Sequence, residues 1–347
     1  MSCYLTGFGA ALPEREITNA ELAPQLGVTP DWIESNSGIR MRRWADADES
    51  ASSLATVAVQ AALRDAELEA AQLDYLIGGT LSPDFQVPGI APLVQRSLPH
   101  CRMVPALDIR AGCAAILYSL QLAQGLLASG GALHLACFGS EAQSKGLDLH
   151  PRSADLSMLF GDGAGAFIAS IQPHAQRPSL RVLDVLIATD GTFAEDLIVR
   201  APGTANGAHW SGDATSTRPA MNGRTVILQA VRKLSDAAQA ITARNDLTLE
   251  QIEVVVPHQA NLNLLRTLAL RLAISPERFV INVDRYGNTS GASAFLALHQ
   301  AQAENRFRAG AYVLILAFGA GFTWGAALLQ VVERAHDERA PTDSLHD

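Results

Sequence analysis

"LDIRAGCAAILYSLQLAQGLLASGGALHLACFG", residues 107 to 139, passes from a strand end bearing Asp108 through a tight turn into a helix of small and apolar residues. A glycine turn and a second apolar strand, closing on Phe-Gly, complete it. "VDRYGNTSGASAFLALHQAQAENRFRAGAYVLILAFG", residues 283 to 319, runs through the same series. The echo extends upstream. "LDYLIGG" (Leu73 to Gly79) and "IEVVVPH" (Ile252 to His258) are both short apolar strands after an acidic, helix-like stretch. "YLTGFGAALPE" (4–14) and "VLDVLIATDGT" (182–192) both enter glycine turns, and the apolar helices at Leu54 to Leu68 and Val226 to Ile241 also correspond. Strands alternating with helices imply parallel or mixed sheets covered by helices, an α/β fold. The duplication sets two halves, 1–172 and 173–333, about a pseudo-twofold axis. The polar stretch 334–347 reads as a flexible tail.

The axis has a chemical consequence. The turn carrying Cys113 corresponds to "GNTSGAS", which carries Asn288, and Gly79 corresponds to His258. Duplication therefore directs Cys113, His258 and Asn288 towards one central site. A lone free cysteine is most often a small buried hydrophobe. At a helix N-terminus, however, unpaired N–H groups and the macrodipole favour thiolate, which is the reading expected for Cys113. His258 follows the strand "EVVVP" at a strand-to-helix joint with no evident packing need, whereas Asn288 alone could be an ordinary turn residue.

Composition narrows the classes. The 347 residues are 48% hydrophobic and 18% charged, with a net charge of -9, which fits a globular protein and speaks against general nucleic-acid or polybasic membrane binding. The longest apolar stretch, Tyr312 to Phe318, is strand-sized, and the N-terminus lacks a signal-peptide pattern. The four cysteines (Cys3, Cys101, Cys113 and Cys137) show no CxxC spacing, which argues against zinc and fits reduced thiols in a cytoplasm. "FGDGAGA" (Phe160 to Ala166) lacks the lysine of a P-loop and reads as close-packed backbone.

Across "LPEREITNAEL", "DWIESNSGIRMRR", Cys113, "LFGDGAGA", "VPHQAN", "GNTSGAS" and "FGAGFTWGAAL", the chain resembles the thiolase superfamily, and within it the β-ketoacyl-ACP synthase III group. The match spans nearly the whole chain. "LDIRAGC" and "GTLSPDFQVPG" look closest to secondary-metabolite members, such as the one making 2-aminobenzoylacetate. The resemblance implies a five-layered α-β-α-β-α architecture and a Cys113, His258, Asn288 triad. It also implies an oxyanion hole from the backbone N–H groups of Cys113 and Ala320. Trp32 is expected to stack on the adenine of coenzyme A with Arg152 on its other side, and Asn261 and Phe85 to contribute to substrate binding. Phe85 lies in "LSPDFQVPGIAP" (Leu81 to Pro92), expected near a homodimer interface and the acyl pocket. Acyl-CoA or acyl carrier protein would bring the substrates, with no cofactor, metal, nucleic acid or membrane involved.

The implied reaction is decarboxylative Claisen condensation. Cys113 takes an acyl group from a thioester, and a malonyl-type thioester held at His258 and Asn288 loses carbon dioxide to give the attacking enolate. Some positions depart from the family. An arginine usual in the group is Asn36 here, and basic residues of the carrier-docking surface are Leu228, Asn263 and Leu270, although Arg224, Arg266 and Arg271 remain nearby. A thinned positive surface fits a specialised pathway better than housekeeping fatty-acid priming. "AFGAGFTWG" lacks the second cysteine of a degradative thiolase, and the local cysteine signature of papain-like hydrolases is absent. The alternative is an acyltransferase on the same fold that forms no carbon–carbon bond.

Overall fold

The computed structural model describes residues 2–201, 203–206 and 218–333; the expected tail at 334–347 lies outside them. Nine strands form one mixed sheet: β1 (Cys3–Ala11), β2 (Tyr75–Gly79), β3 (Ala106–Ile109), β4 (His134–Glu141), β5 (Gly163–Ser170), β6 (Ser179–Thr189), β7 (Ile252–Pro257), β8 (Tyr312–Gly319) and β9 (Thr323–Val332). Their order is β7-β8-β9-β6-β1-β5-β4-β2-β3. From the middle outward, β1-β5-β4-β2 on one side matches β6-β9-β8-β7 on the other, with the same sequence of antiparallel, antiparallel and parallel pairings. The counterpart of β3 is reduced to a parallel bridge between Val255 and Phe279, closed by Val280 N–H to the Val255 carbonyl at 2.9 Å. Among the described residues the strands of the two halves pair only where Cys3 to Leu5 meets Leu180 to Val182, so β6 runs on without β1 beyond that point.

Six principal helices complete the layers: α1 (Ala51–Asp65), α2 (Ile90–Ser97), α3 (Ala115–Ala128), α4 (Gly223–Arg244), α5 (Leu262–Leu272) and α6 (Ser293–Ala303). α1 and α2 cover the outer face of the first half, and α4 and α5 that of the second. Between the halves lie α3 and α6, apolar almost all round as a doubly covered layer requires. The result is the five-layered α-β-α-β-α arrangement. At its centre Phe167 and Phe295 stack with ring centroids 5.4 Å apart, and both are fully buried. Truncating such a ring typically costs about 3–5 kcal/mol.

Sequence signals explain where the helices start. α1 begins three residues before the expected Leu54 because Ser50 caps it, sharing a reciprocal capping box with Ser53. α4 begins at Gly223 because the Asn222 side chain accepts the N–H of Thr225. Gly9 lets α1 lie directly on β1: a Cβ there would stand 2.1 Å from the Ala58 carbonyl oxygen. Among the described residues no helix is long and apolar enough to cross a membrane.

Candidate active site

Two corresponding turns meet at the centre of the molecule. The first leaves β3 and forms a single 3-10 turn, Gly112–Ala114, before α3 begins at Ala115. The second runs from Gly287 to the start of α6, with Ser290 in the left-handed region at φ 45°. Gly291 allows their contact. A Cβ on it would stand 3.0 Å from Oε1 of Glu141 and 3.4 Å from the Gly112 carbonyl oxygen. Across this junction Sγ of Cys113 lies 3.6 Å from Oγ of Ser290. On its other flank the Cys113 backbone packs on the β8 end, where a Cβ at Gly319 would stand 3.0 Å from the Cys113 nitrogen.

The second turn also holds the other two residues singled out in the sequence. The Asn288 N–H donates to the Leu159 carbonyl at 2.8 Å, and its Oδ1 accepts the Ser290 N–H at 2.8 Å. With the oxygen thus committed, the amide NH2 is the group left to donate. His258 continues β7 by donating its N–H to Leu316 at 2.7 Å, and its Nδ1 sits 2.5 Å from Oγ of Ser293. Gln259 fixes the joint from below: it donates to the Pro257 and Val280 carbonyls and accepts the N–H groups of Asn282 and Val283. Cys113, Asn288 and His258 are thereby tied together through one turn, with Ser290 touching the first and Ser293 the third.

The electrostatics correct one expectation. Cys113 does not sit at the first residue of the α-helix, and its thiol is not acidified. Burial pushes its pKa up to about 12; the Ser290 hydroxyl lowers it, the charge of Glu141 raises it and its own backbone N–H lowers it. Desolvation outweighs the helix N-terminus because a few N–H dipoles cannot replace the hydration of a thiolate. His258 is held uncharged in the same way, with burial lowering its pKa to about 3. Glu141, fully buried, accepts from Ser82 Oγ at 2.6 Å and from the N–H groups of Leu81 and Gly291, each at 3.1 Å. Burial still raises its pKa, these donors opposing the rise. Ser290, Ser293 and Glu141 escaped the sequence reading; the two serines stand inside the quoted "GNTSGAS", but only the fold shows what they touch.

The remaining expected residues lie around this centre in different ways. Ala320 is beside the Cys113 turn, its nitrogen 3.8 Å from where a Gly112 Cβ would stand. Trp32 is half-buried on the short helix Pro30–Ser37. Asn261 caps α5 through Oδ1, and its Nδ2 donates to the Asn36 carbonyl at 3.0 Å, which Asn263 also reaches at 3.1 Å. Its carboxamide is therefore engaged in joining the Trp32 helix to α5. Arg152 turns to Asp148, Nε to Oδ2 at 3.0 Å, in a turn whose Pro151 packs on Gly27. Phe85 is 58% exposed, so a single chain does not enclose it. Leu81 from the same segment is the one that reaches the centre, 3.3 Å from the position of a Gly112 Cβ.

The chain is similar to known proteins over nearly its whole length. Residues 107–191 match the family described as 3-oxoacyl-[acyl-carrier-protein (ACP)] synthase III, and residues 242–331 match its C-terminal part. The chain is 39% identical over 328 residues to a β-ketoacyl-[acyl-carrier-protein] synthase III of Nitratidesulfovibrio vulgaris, covering 94% of this chain and 98% of that protein. Among solved structures, a 3-oxoacyl-[acyl-carrier-protein] synthase III of Aquifex aeolicus superposes with a TM-score of 0.85 at 33% identity, over 94% of this chain and 99% of the other. A priming β-ketosynthase of the R1128 polyketide biosynthetic pathway superposes at 0.84 with 30% identity, over 96% of each chain.

Proposed function

The chain belongs to the β-ketoacyl-ACP synthase III family, and from that premise we propose that Cys113 carries the acyl group of a decarboxylative Claisen condensation. The supporting observation is the single turn from Asn288 to Ser293, which bears one proposed donor, touches Cys113 through Ser290 and holds His258 through Ser293. In the first stage the Cys113 thiol displaces the thiol of an acyl thioester, with the N–H groups of Cys113 and Ala320 receiving the oxyanion. In the second, a malonyl-type thioester places its carbonyl oxygen at Nε2 of His258 and the NH2 of Asn288. Loss of carbon dioxide develops negative charge on that oxygen. Two neutral, preorganised donors stabilise it without needing a counter-ion, each contributing about 3–4 kcal/mol. The enolate carbon then attacks the acyl group on Cys113. Neither stage calls for a metal or bound cofactor.

Acyl-CoA and acyl carrier protein are the substrates of this reading, and Trp32, Arg152, Asn261 and Phe85 are the residues it proposes for binding them; Arg152 and Asn261 would first have to release Asp148 and the Asn36 carbonyl. Asn36 stands where the family resemblance leads one to expect arginine, and Leu228, Asn263 and Leu270 where it leads one to expect basic residues, a thinned positive surface that favours a specialised pathway; a cytoplasmic setting fits four free thiols. The halves 1–172 and 173–333 would act as one catalytic body. A second copy completes the assembly: β3 pairs only with β2 among the described residues, leaving an open sheet edge. Beside it Met103 is 95% exposed, Val87 86% and Leu107 39%. Such an apolar edge is what a partner of the same kind would cover. Intact-protein mass spectrometry after treatment with acetyl-CoA or octanoyl-CoA tests the nucleophile. Acyl mass should appear on the wild type and vanish in Cys113→Ala; acylation persisting in Cys113→Ala would overturn the assignment.

A further inference from the structure

We propose that Ser290 and Glu141 form a proton relay for Cys113, a reading that rests on Cys113 being the acyl carrier. The Ser290 hydroxyl lies 3.6 Å from Sγ, and the next residue, Gly291, donates its N–H to the Glu141 carboxyl at 3.1 Å, which brings the Ser290 side chain close enough to help lower the pKa of Glu141. Its position is imposed: Ser290 is 1% exposed, held in the left-handed region, with its N–H clamped by Asn288. Glu141 is itself fixed by donors from Ser82, Leu81 and Gly291. A thiol, a hydroxyl and a carboxylate thus stand in series in a buried pocket.

The charge balance explains why they are there. Ionising Cys113 beside an ionised Glu141 would put two negative charges in the same water-poor space, a heavy electrostatic cost. Passing the thiol proton to Oγ of Ser290, as the Ser290 proton passes to Glu141, keeps the charge at one. No other charged group acts on either the thiol or the carboxyl among the described residues. His258 is a poor acceptor, because its imidazolium would be buried and Ser293 already occupies Nδ1. During loading, the Sγ–H bond breaks as the Sγ–acyl bond forms, Glu141 becomes the carboxylic acid, and the departing thiolate takes a proton from solvent. During condensation, the enolate carbon bonds to the acyl carbon and the Sγ–acyl bond breaks. Glu141 then returns its proton through Ser290 to the Cys113 thiolate, and the resting state is restored.

Glu141→Gln and Ser290→Ala test this by two measurements with opposite expected signs. Rapid-quench acylation with octanoyl-CoA should slow by about 10²- to 10⁴-fold in each variant, the scale of a lost general base. Iodoacetamide alkylation of Cys113 as a function of pH should instead show a lower thiol pKa in Glu141→Gln, because the like charge has gone. Glu141→Gln acylating as fast as the wild type, or faster, would overturn the relay and leave Glu141 a purely electrostatic neighbour. If thermal unfolding shows that Glu141→Gln does not fold, Ser290→Ala decides, and undiminished acylation there overturns the relay equally. A wild type that never gains acyl mass at Cys113 defeats the acyl-carrier reading itself, and the relay with it.

Discussion

Oγ of Ser293, the first residue of α6, lies 2.5 Å from Nδ1 of His258 and also accepts the Gln259 N–H at 3.3 Å. The serine can accept from Gln259 and still donate its O–H to Nδ1, and in that tautomer, the one condensation requires, the ring proton sits on Nε2. Nε2 is then a donor, as an enolate oxygen requires. Ser293→Ala should leave acyl loading of Cys113 intact and slow carbon dioxide release from a malonyl thioester by roughly 3- to 10-fold, the scale of one neutral hydrogen bond. Unchanged release would remove Ser293 from the account.

The burial that holds the His258 pKa near 3 makes a prediction about pH. An ordinary histidine gains charge below about pH 6.5, whereas His258 should stay neutral far below that. Decarboxylation should therefore run flat between about pH 6 and pH 8, with no limb that disappears in His258→Gln. The sign for stability follows. Between about pH 6.5 and pH 3 the unfolded chain binds a proton that folded His258 refuses, so this burial is harmless above pH 6.5 and destabilises progressively as pH falls. Denaturant titrations at descending pH should show a smaller acid loss in His258→Gln.

Backbone contact between β4 and the turn that carries Ser290 is equally testable. A methyl group on Gly139 would stand 2.3 Å from the Gly291 carbonyl oxygen, on rigid backbone that cannot swing aside. Gly139→Ala should cost about 3 kcal/mol or more in denaturant unfolding, together with loss of acyl loading. Wild-type stability and loading would show that β4 and this turn are not pressed together.

The open edge at β3 should make the protein a stable dimer by light scattering at micromolar concentration. Val87→Asp and Met103→Asp, both on strongly exposed apolar positions, should shift it towards monomer. A wild-type monomer would leave that edge without the proposed cover.

The duplicated strand–turn–helix pattern made the architecture legible, because hydrophobic period and glycine placement are local properties that survive as sequence. Cys113, His258 and Asn288 could be read for the same reason: each stands at a joint whose counterpart in the other half is visible. The state of the Cys113 thiol could not be read. Helix termini announce themselves locally, whereas desolvation is set by everything that folds over the site, and here it wins. Ser290, Ser293 and Glu141 were hidden for a related reason. Glu141 lies 149 residues from Ser290, and only the fold brings the end of β4 against the turn that carries Ser290. Asn261 shows the converse, a motif residue whose side chain the fold spends on capping α5.

The central claim, that Cys113 loads an acyl group and His258 with Asn288 then drives condensation, is tested most directly by one paired measurement on wild type and Asn288→Ala. Acyl-Cys113 is followed by mass, and carbon dioxide release from a malonyl thioester is followed in parallel. The account predicts that both proteins load. It also predicts that Asn288→Ala releases carbon dioxide about 10²- to 10³-fold more slowly, the loss expected for one oxyanion-type donor. Adding His258→Ala should slow release by less than the product of the two effects, because the donors act as a unit. Full acyl turnover by Asn288→Ala, with no carbon dioxide released by the wild type from any malonyl donor, would contradict condensation and leave plain acyl transfer in its place.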